Sequence, residues 1–219
     1  MKYSGITWIY LIFMLAACDS GSQRHVNRDA LQEEIRNREP KKISEAQITT
    51  EAFSQGQIIT GEAQKELLQT LHKVMEESGP VKAAQFCSVQ ARPIMDSLSQ
   101  KYNATIRRTS LKPRNPGNAP DEVEKQLLEA YEYNAENNLP MNENVQRLSY
   151  DYLLYTKPII INNELCLRCH GEPGRNFEQE TVKAIDQLYP EDKARNYTSG
   201  DFRGIWSIKL SQKELVKAL

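Results

Sequence analysis

"VQRLSYDYLLYTKPIIINNELCLRCHGEP", residues 145–173, holds the two signals on which the reading of this chain turns. Residues 145–161 are rich in aromatic and β-branched side chains, which read as one or two strands. The segment then turns polar and places two of the four cysteines and one of the three histidines in the order Cys166-Leu-Arg-Cys169-His170. A strand that delivers such a cluster onto a turn or short helix is a device for presenting chemistry. C-x-x-C-H is the attachment signature of c-type haem. Two thiols three positions apart can each form a thioether with one haem vinyl group, and the adjacent histidine is then held beneath the iron as proximal ligand.

Other readings of the same residues are a C-x-x-C disulfide or half of a zinc site. Zinc would need two more ligands at close spacing, and Cys87, His25 and His72 stand singly. A thioredoxin-type redox pair would need a strand–CxxC–helix opening of a βαβ unit, which the flanking sequence does not have.

Working outward, the chain has 219 residues and a net charge of −1, so one domain with decorations is expected and no global field points to nucleic acid. The one long apolar run is at the start, "MKYSGITWIYLIFMLAACDS" (1–20). It is short for a spanning helix and has the small-residue end of an export signal. Leu15-Ala16-Ala17-Cys18 resembles a bacterial lipobox, which makes 1–17 a signal peptide and Cys18 a lipidation site that anchors the chain to a membrane. An ordinary signal peptide cut nearby is the competing reading. The mature body keeps Cys87, Cys166 and Cys169, an odd number that suits no simple disulfide framework in an exported chain.

Residues 18–43 read as a polar tether, and 44–219 as the folded domain. Ser44 and Gln47 form a capping box for a long helix over 44–77, with Gly56 and Gly61 as weak points and "SGP" (78–80) as its stop. A second helix carries Ala84, Cys87 and Ala91 on one face, and Pro93 bends or restarts it. Residues 104–110 read as a strand and 111–120 as a loop. A helix over 121–137 turns Val123, Leu127 and Tyr131 inward. Residues 180–189 form another helix, 201–210 alternate as a strand, and a capping box of Ser211 and Glu214 opens a final helix. Helices followed by an antiparallel sheet interrupted by helices give an α+β class.

The sixth ligand of a bound iron is open on the residues alone. His25 lies in the tether, and His72 sits on the first helix. Met75, Met95 and Met141 are possible ligands and equally ordinary core fillers. Cys87, in "AAQFCSVQA", reads as a buried structural thiol or as a ligand. Arg107, Arg108, Lys112 and Arg114 read as a solvated face, or one or two of the arginines as partners of the haem carboxylates. Tyr150, Tyr152 and Tyr155 are sheet residues or a pocket wall.

"AAQFCSVQA", "IRRTSLKPRNPGNAPDEVE", "ELCLRCHG" and "DFRGIWSIKL", in this order, resemble a family of exported haem proteins first catalogued as a domain of unknown function. The likeness covers about residues 50–210. It implies a PAS-like antiparallel sheet wrapped by helices and one covalent haem c. It also implies attachment at Cys166 and Cys169, with His170 proximal and Cys87 distal on the iron. The same resemblance points to Arg108 and Arg114 as the partners of the haem carboxylates. Val123 departs from the pattern, where members often have Trp. The expected function is an exported, lipid-anchored haem protein on the periplasmic side of a bacterial membrane. It would work in electron transfer with an unknown redox partner or in redox sensing. Sensing of NO or CO through a displaceable Cys87 is an alternative. A haem peroxidase is a third, for which no distal His or carboxylate pair is visible.

Overall fold

A computed structural model describes residues 27–38 and 42–219. Cys18 and His25 lie outside the described residues. The chain divides into two units, 1–42 and 43–219. In the first, α1 (Arg28–Arg38) is a polar helix whose N-terminal amides, those of Asp29 and Ala30, donate to the Asn27 side chain.

The second unit opens on α2 (Glu45–Val89). Its N-terminus is the expected capping box: the Gln47 amide donates to Ser44 Oγ, and the Ser44 amide donates to Gln47 Oε1. Ile48, Ala52, Gly56, Ile59, Ala63 and Leu67 recur at three- and four-residue spacing and are buried. Gly56 is not a weak point. It lets the ring of Tyr155 lie against the helix backbone, where a Cβ would come within 2.2–2.5 Å of ring atoms. The "SGP" stop is a break within the helix. Gly79 has φ 78° and ψ 178°, a conformation open to glycine, and Pro80 starts the next stretch with its φ already helical. That stretch carries Cys87. The following boundary falls at Gln90 and not at Pro93. Pro93 sits in the first turn of α3 (Ala91–Tyr102), where a missing N–H has no partner to lose.

Four strands form one antiparallel sheet in the order β1 (Thr105–Thr109), β4 (Phe202–Ser211), β3 (Tyr152–Ile160), β2 (Asn144–Arg147). The stretch 145–161 thus supplies two strands. One sheet face presents Ile106, Leu153, Tyr155, Trp206, Ile208 and Leu210 to α2 and α3, forming the main core. Each fully buried Leu or Ile of this kind contributes about 1.5–3 kcal/mol. On the other face Ile205 packs with Leu128 and Tyr131 of α4 (Glu122–Glu136). Val123 does not turn inward as expected. With Asp121 capping the helix, Val123 falls on its outer side, 38% exposed, and Leu128 takes the buried position.

Strand alternation sorts the neighbouring arginines. Arg107 reaches the α4 side and pairs with the buried Glu124 at 3.0 Å. Arg108 stands opposite Trp206 and stacks over its ring, on the α2 side. At the C-terminus the expected Ser211 capping box does not form. Ser211 is still held in register with Tyr152 at the end of β4, its side chain caps nothing in α7 (Gln212–Ala218), and Glu214 pairs with Lys217 instead. None of the described helices is long and apolar enough to cross a membrane.

Candidate functional site

After β3 the chain turns into α5 (Glu164–His170), a short helix that is the Cys-x-x-Cys-His segment itself. Asn163 caps it by accepting from the Leu165 amide. The two motif thiols face different neighbours. Cys166 packs by Ile161, Ala194 and Tyr197. Cys169 packs by Ala84 of α2 and by Phe177, Ile185 and Tyr189 of and around α6 (Gln179–Leu188).

The loop after α6 clasps the motif. The Asn196 and Tyr197 amides donate to the carbonyls of Gly171 and His170, both at 3.0 Å. Arg114 locks this clasp from the 111–120 loop. It donates to the carboxylate of Asp192 at 3.1 Å, to the Cys169 carbonyl at 2.6 Å and to the Ala194 carbonyl at 2.9 Å. Asp192 also accepts from the Ala194 amide and from Arg195.

The same Ala194 carbonyl lies 2.9 Å from His170 Nδ1. A carbonyl only accepts, so Nδ1 carries the proton and Nε2 is left as a bare lone pair. Desolvation by the surrounding protein, first, and then the guanidiniums of Arg114 and Arg203 hold His170 well below the usual imidazole range. The ring is therefore neutral, as a ligand must be.

Cys87, Cys166 and Cys169 are free thiols. Burial pushes Cys169 up to about 11, and burial pushes the Cys87 thiol up while the charges of Arg108 and Arg114 oppose it. Cys87 and Arg114 both bear on the ionisation of Cys169 and of Tyr189, which places these four side chains near one another. The structure thus brings together Cys87, Arg108, Arg114, Cys169 and His170, residues spread over some eighty positions of sequence, with Cys166 on the same helix.

The other candidates lie elsewhere. His72 is exposed, 3.3 Å from Glu76 on its own helix. Met95 belongs to the main core, Met141 packs against the α4 cluster, and Met75 is buried on α2. Tyr155 is a core residue, while Tyr150 and Tyr152 are exposed. Among the described residues no group of three His, Cys, Asp or Glu side chains is gathered as for a bare metal ion.

Sequence reasoning missed three residues of this region. Asp192 had no local signal, since its partner Arg114 lies 78 positions away. Tyr197 packs edge-on to His170, with ring centroids 6.3 Å apart. Arg203, within the quoted "DFRGIW", stacks over Tyr197 at 5.4 Å.

The family model described as Tll0287-like matches residues 27–211. Among solved structures, the chain is similar to the cyanobacterial heme-protein Tll0287. The likeness has 22% identity and a TM-score of 0.51, and covers 73% of this chain and 95% of that one. No curated protein matches the chain.

Proposed function

The chain belongs to the Tll0287-like family, and from that premise we propose that it is an exported, membrane-tethered c-type haem protein. Cys166 and Cys169 would hold one haem through thioethers, and His170 and Cys87 would supply nitrogen and sulfur to its iron. The observation that carries this reading is His170. Its Nδ1 proton is committed to the Ala194 carbonyl, so the free Nε2 is oriented as a metal-binding histidine requires. Three further observations support the fit. The motif is helical, its two thiols are unpaired, and a third free thiol, Cys87, lies in the neighbourhood of Cys169. The heme-protein among the structural neighbours supports the coarser part of this reading, that the chain binds haem.

Bound haem supplies one-electron chemistry at iron. The chain's own contribution is to keep His170 neutral, to offer sulfur as a charge-donating second ligand, and to surround both with guanidinium charge. Electron transfer and redox sensing both use these parts. One observation favours sensing, including sensing of NO or CO. Cys87 rides on the short stretch after the Gly79 break, so it can leave without disturbing the packed first part of α2.

The test is the absorption spectrum of reduced wild type and Cys87→Ala, each with and without CO. A sensor binds CO in both, and Cys87→Ala loses the low-spin ferric thiolate signature in electron paramagnetic resonance. A wild type that excludes CO supports the electron carrier. A Cys87→Ala protein with an unchanged ferric spectrum removes Cys87 from the ligand set.

A further inference from the structure

Most arginines of the domain are paired: Arg92, Arg107, Arg114, Arg147, Arg175 and Arg195 each have a carboxylate partner. Arg108 and Arg203 are part-buried, yet each stacks on an aromatic ring, Trp206 and Tyr197, and has no carboxylate partner among the described residues. Arg203 Nε is buried without any hydrogen-bond partner. Arg168 also lacks a carboxylate, but it is exposed to water, where that is of no consequence. A guanidinium removed from water and left unpaired is costly, and two that repel each other are more so. The Tyr197 ring under Arg203 lies edge-on to His170, and Arg108 faces the helix that carries Cys87. Around the motif, Arg114 and Arg195 share the carboxylate of Asp192, and Arg195 also pairs with Asp186, which leaves Arg108 and Arg203 uncompensated among the described residues.

We propose that Arg203 and Arg108 form a paired carboxylate-binding site that takes the two propionates of the bound haem. Arg114 stays outside this pair as a positioning residue. Its guanidinium is already engaged by Asp192 and by the Cys169 and Ala194 carbonyls, so it holds the attachment helix and does not bind the cofactor's acid groups. A guanidinium matches a carboxylate with two parallel N–H donors, and Arg203 Nε is a donor left waiting for such an acceptor. This inference rests on the haem reading above and sharpens it.

The experiment uses purified holoprotein of wild type, Arg203→Gln, Arg203→Lys and Arg175→Gln. Arg175 is a surface arginine, 78% exposed, and serves as the control. Haem that stays with the denatured wild-type chain establishes the haem reading first; its absence sinks that reading and this inference together. With haem present, two quantities are read: the reduction potential and the propionate bending band in resonance Raman spectra. Arg203→Gln removes a cation and frees a carboxylate, both of which favour ferric iron. The ferric-to-ferrous equilibrium should move about tenfold toward ferric, which is about 59 mV for one electron, and the propionate band should shift. Arg203→Lys restores most of the potential, because the charge returns, but not the band, because the two-pronged contact does not. Arg175→Gln keeps both at wild-type values. An Arg203→Gln holoprotein with wild-type potential and band overturns the proposal, as does an equal shift in Arg175→Gln.

Discussion

Replacing Asp192 by Ala removes the acid at the centre of the clasp on the attachment helix. The side chains of Asp192 and Arg114 are 2% and 12% exposed, so the variant leaves a guanidinium in the interior with only carbonyls around it. Breaking a buried pair by removing one partner costs about 3–5 kcal/mol. The lost contacts from the Ala194 amide and Arg195 are included in that figure. For a chain of this size each kcal/mol lowers Tm by roughly 2–4 °C, so the expected drop is about 6–20 °C. Thermal and urea unfolding of the holoprotein, followed by circular dichroism, measure it. Arg114→Met added to Asp192→Ala should recover part of the loss, because the orphaned charge is gone while the carbonyls of Cys169 and Ala194 still lack their donor. The pH dependence has a definite sign. Desolvation raises the Asp192 carboxyl, but Arg114, Arg195 and the Ala194 amide outweigh it and hold the group below its ordinary value of 3.8. A depressed carboxylate contributes stability above its unfolded value, and that contribution is lost as pH falls through the folded value. The deficit of Asp192→Ala should therefore be complete at neutral pH and shrink in acid below about pH 4. A neutral-pH deficit under about 1 kcal/mol, the size of a single ordinary hydrogen bond, refutes the clasp as described.

Two further outcomes are expected. Gly56→Ala places a methyl group inside the ring of Tyr155, so it should cost at least the 1–3 kcal/mol typical of overpacking in urea unfolding; a neutral effect would mean that ring and helix do not meet as described. Cys18→Ser should move the protein from the membrane fraction to the soluble fraction, or leave its precursor uncut, with the visible spectrum of the folded domain unchanged. A wild-type mature chain that begins after Cys18 contradicts the lipid anchor.

The α+β class, the strands around 104–110 and 201–210, and the helix bearing Cys87 were legible because they rest on local periodicity, caps and turn residues. So was the motif, because its spacing carries its own chemistry. The boundaries failed where a local signal met a tertiary one. Pro93 looked like a restart, yet the helix broke three residues earlier. Ser211 looked like a cap but was held by the sheet. Gly56 looked like a weakness because its reason, the Tyr155 ring, lies 99 positions further along the chain. Arg114 reads as a partner of the haem carboxylates, but its three acceptors in the protein lie 55 to 80 positions away, so these contacts were invisible in sequence. Arg203 was passed over because one arginine in a strand has no pattern; only the missing partner gives it meaning.

The proposed function stands on one haem held covalently by Cys166 and Cys169. The most direct measurement is the intact mass of the denatured, mature protein, taken with its pyridine haemochrome spectrum. The expected result is a polypeptide heavier by one haem, with the band of a c-type haem, and a sharp fall in that species when either cysteine is replaced by Ser. A bare polypeptide mass, with haem absent or extracted into acidic organic solvent, would contradict it.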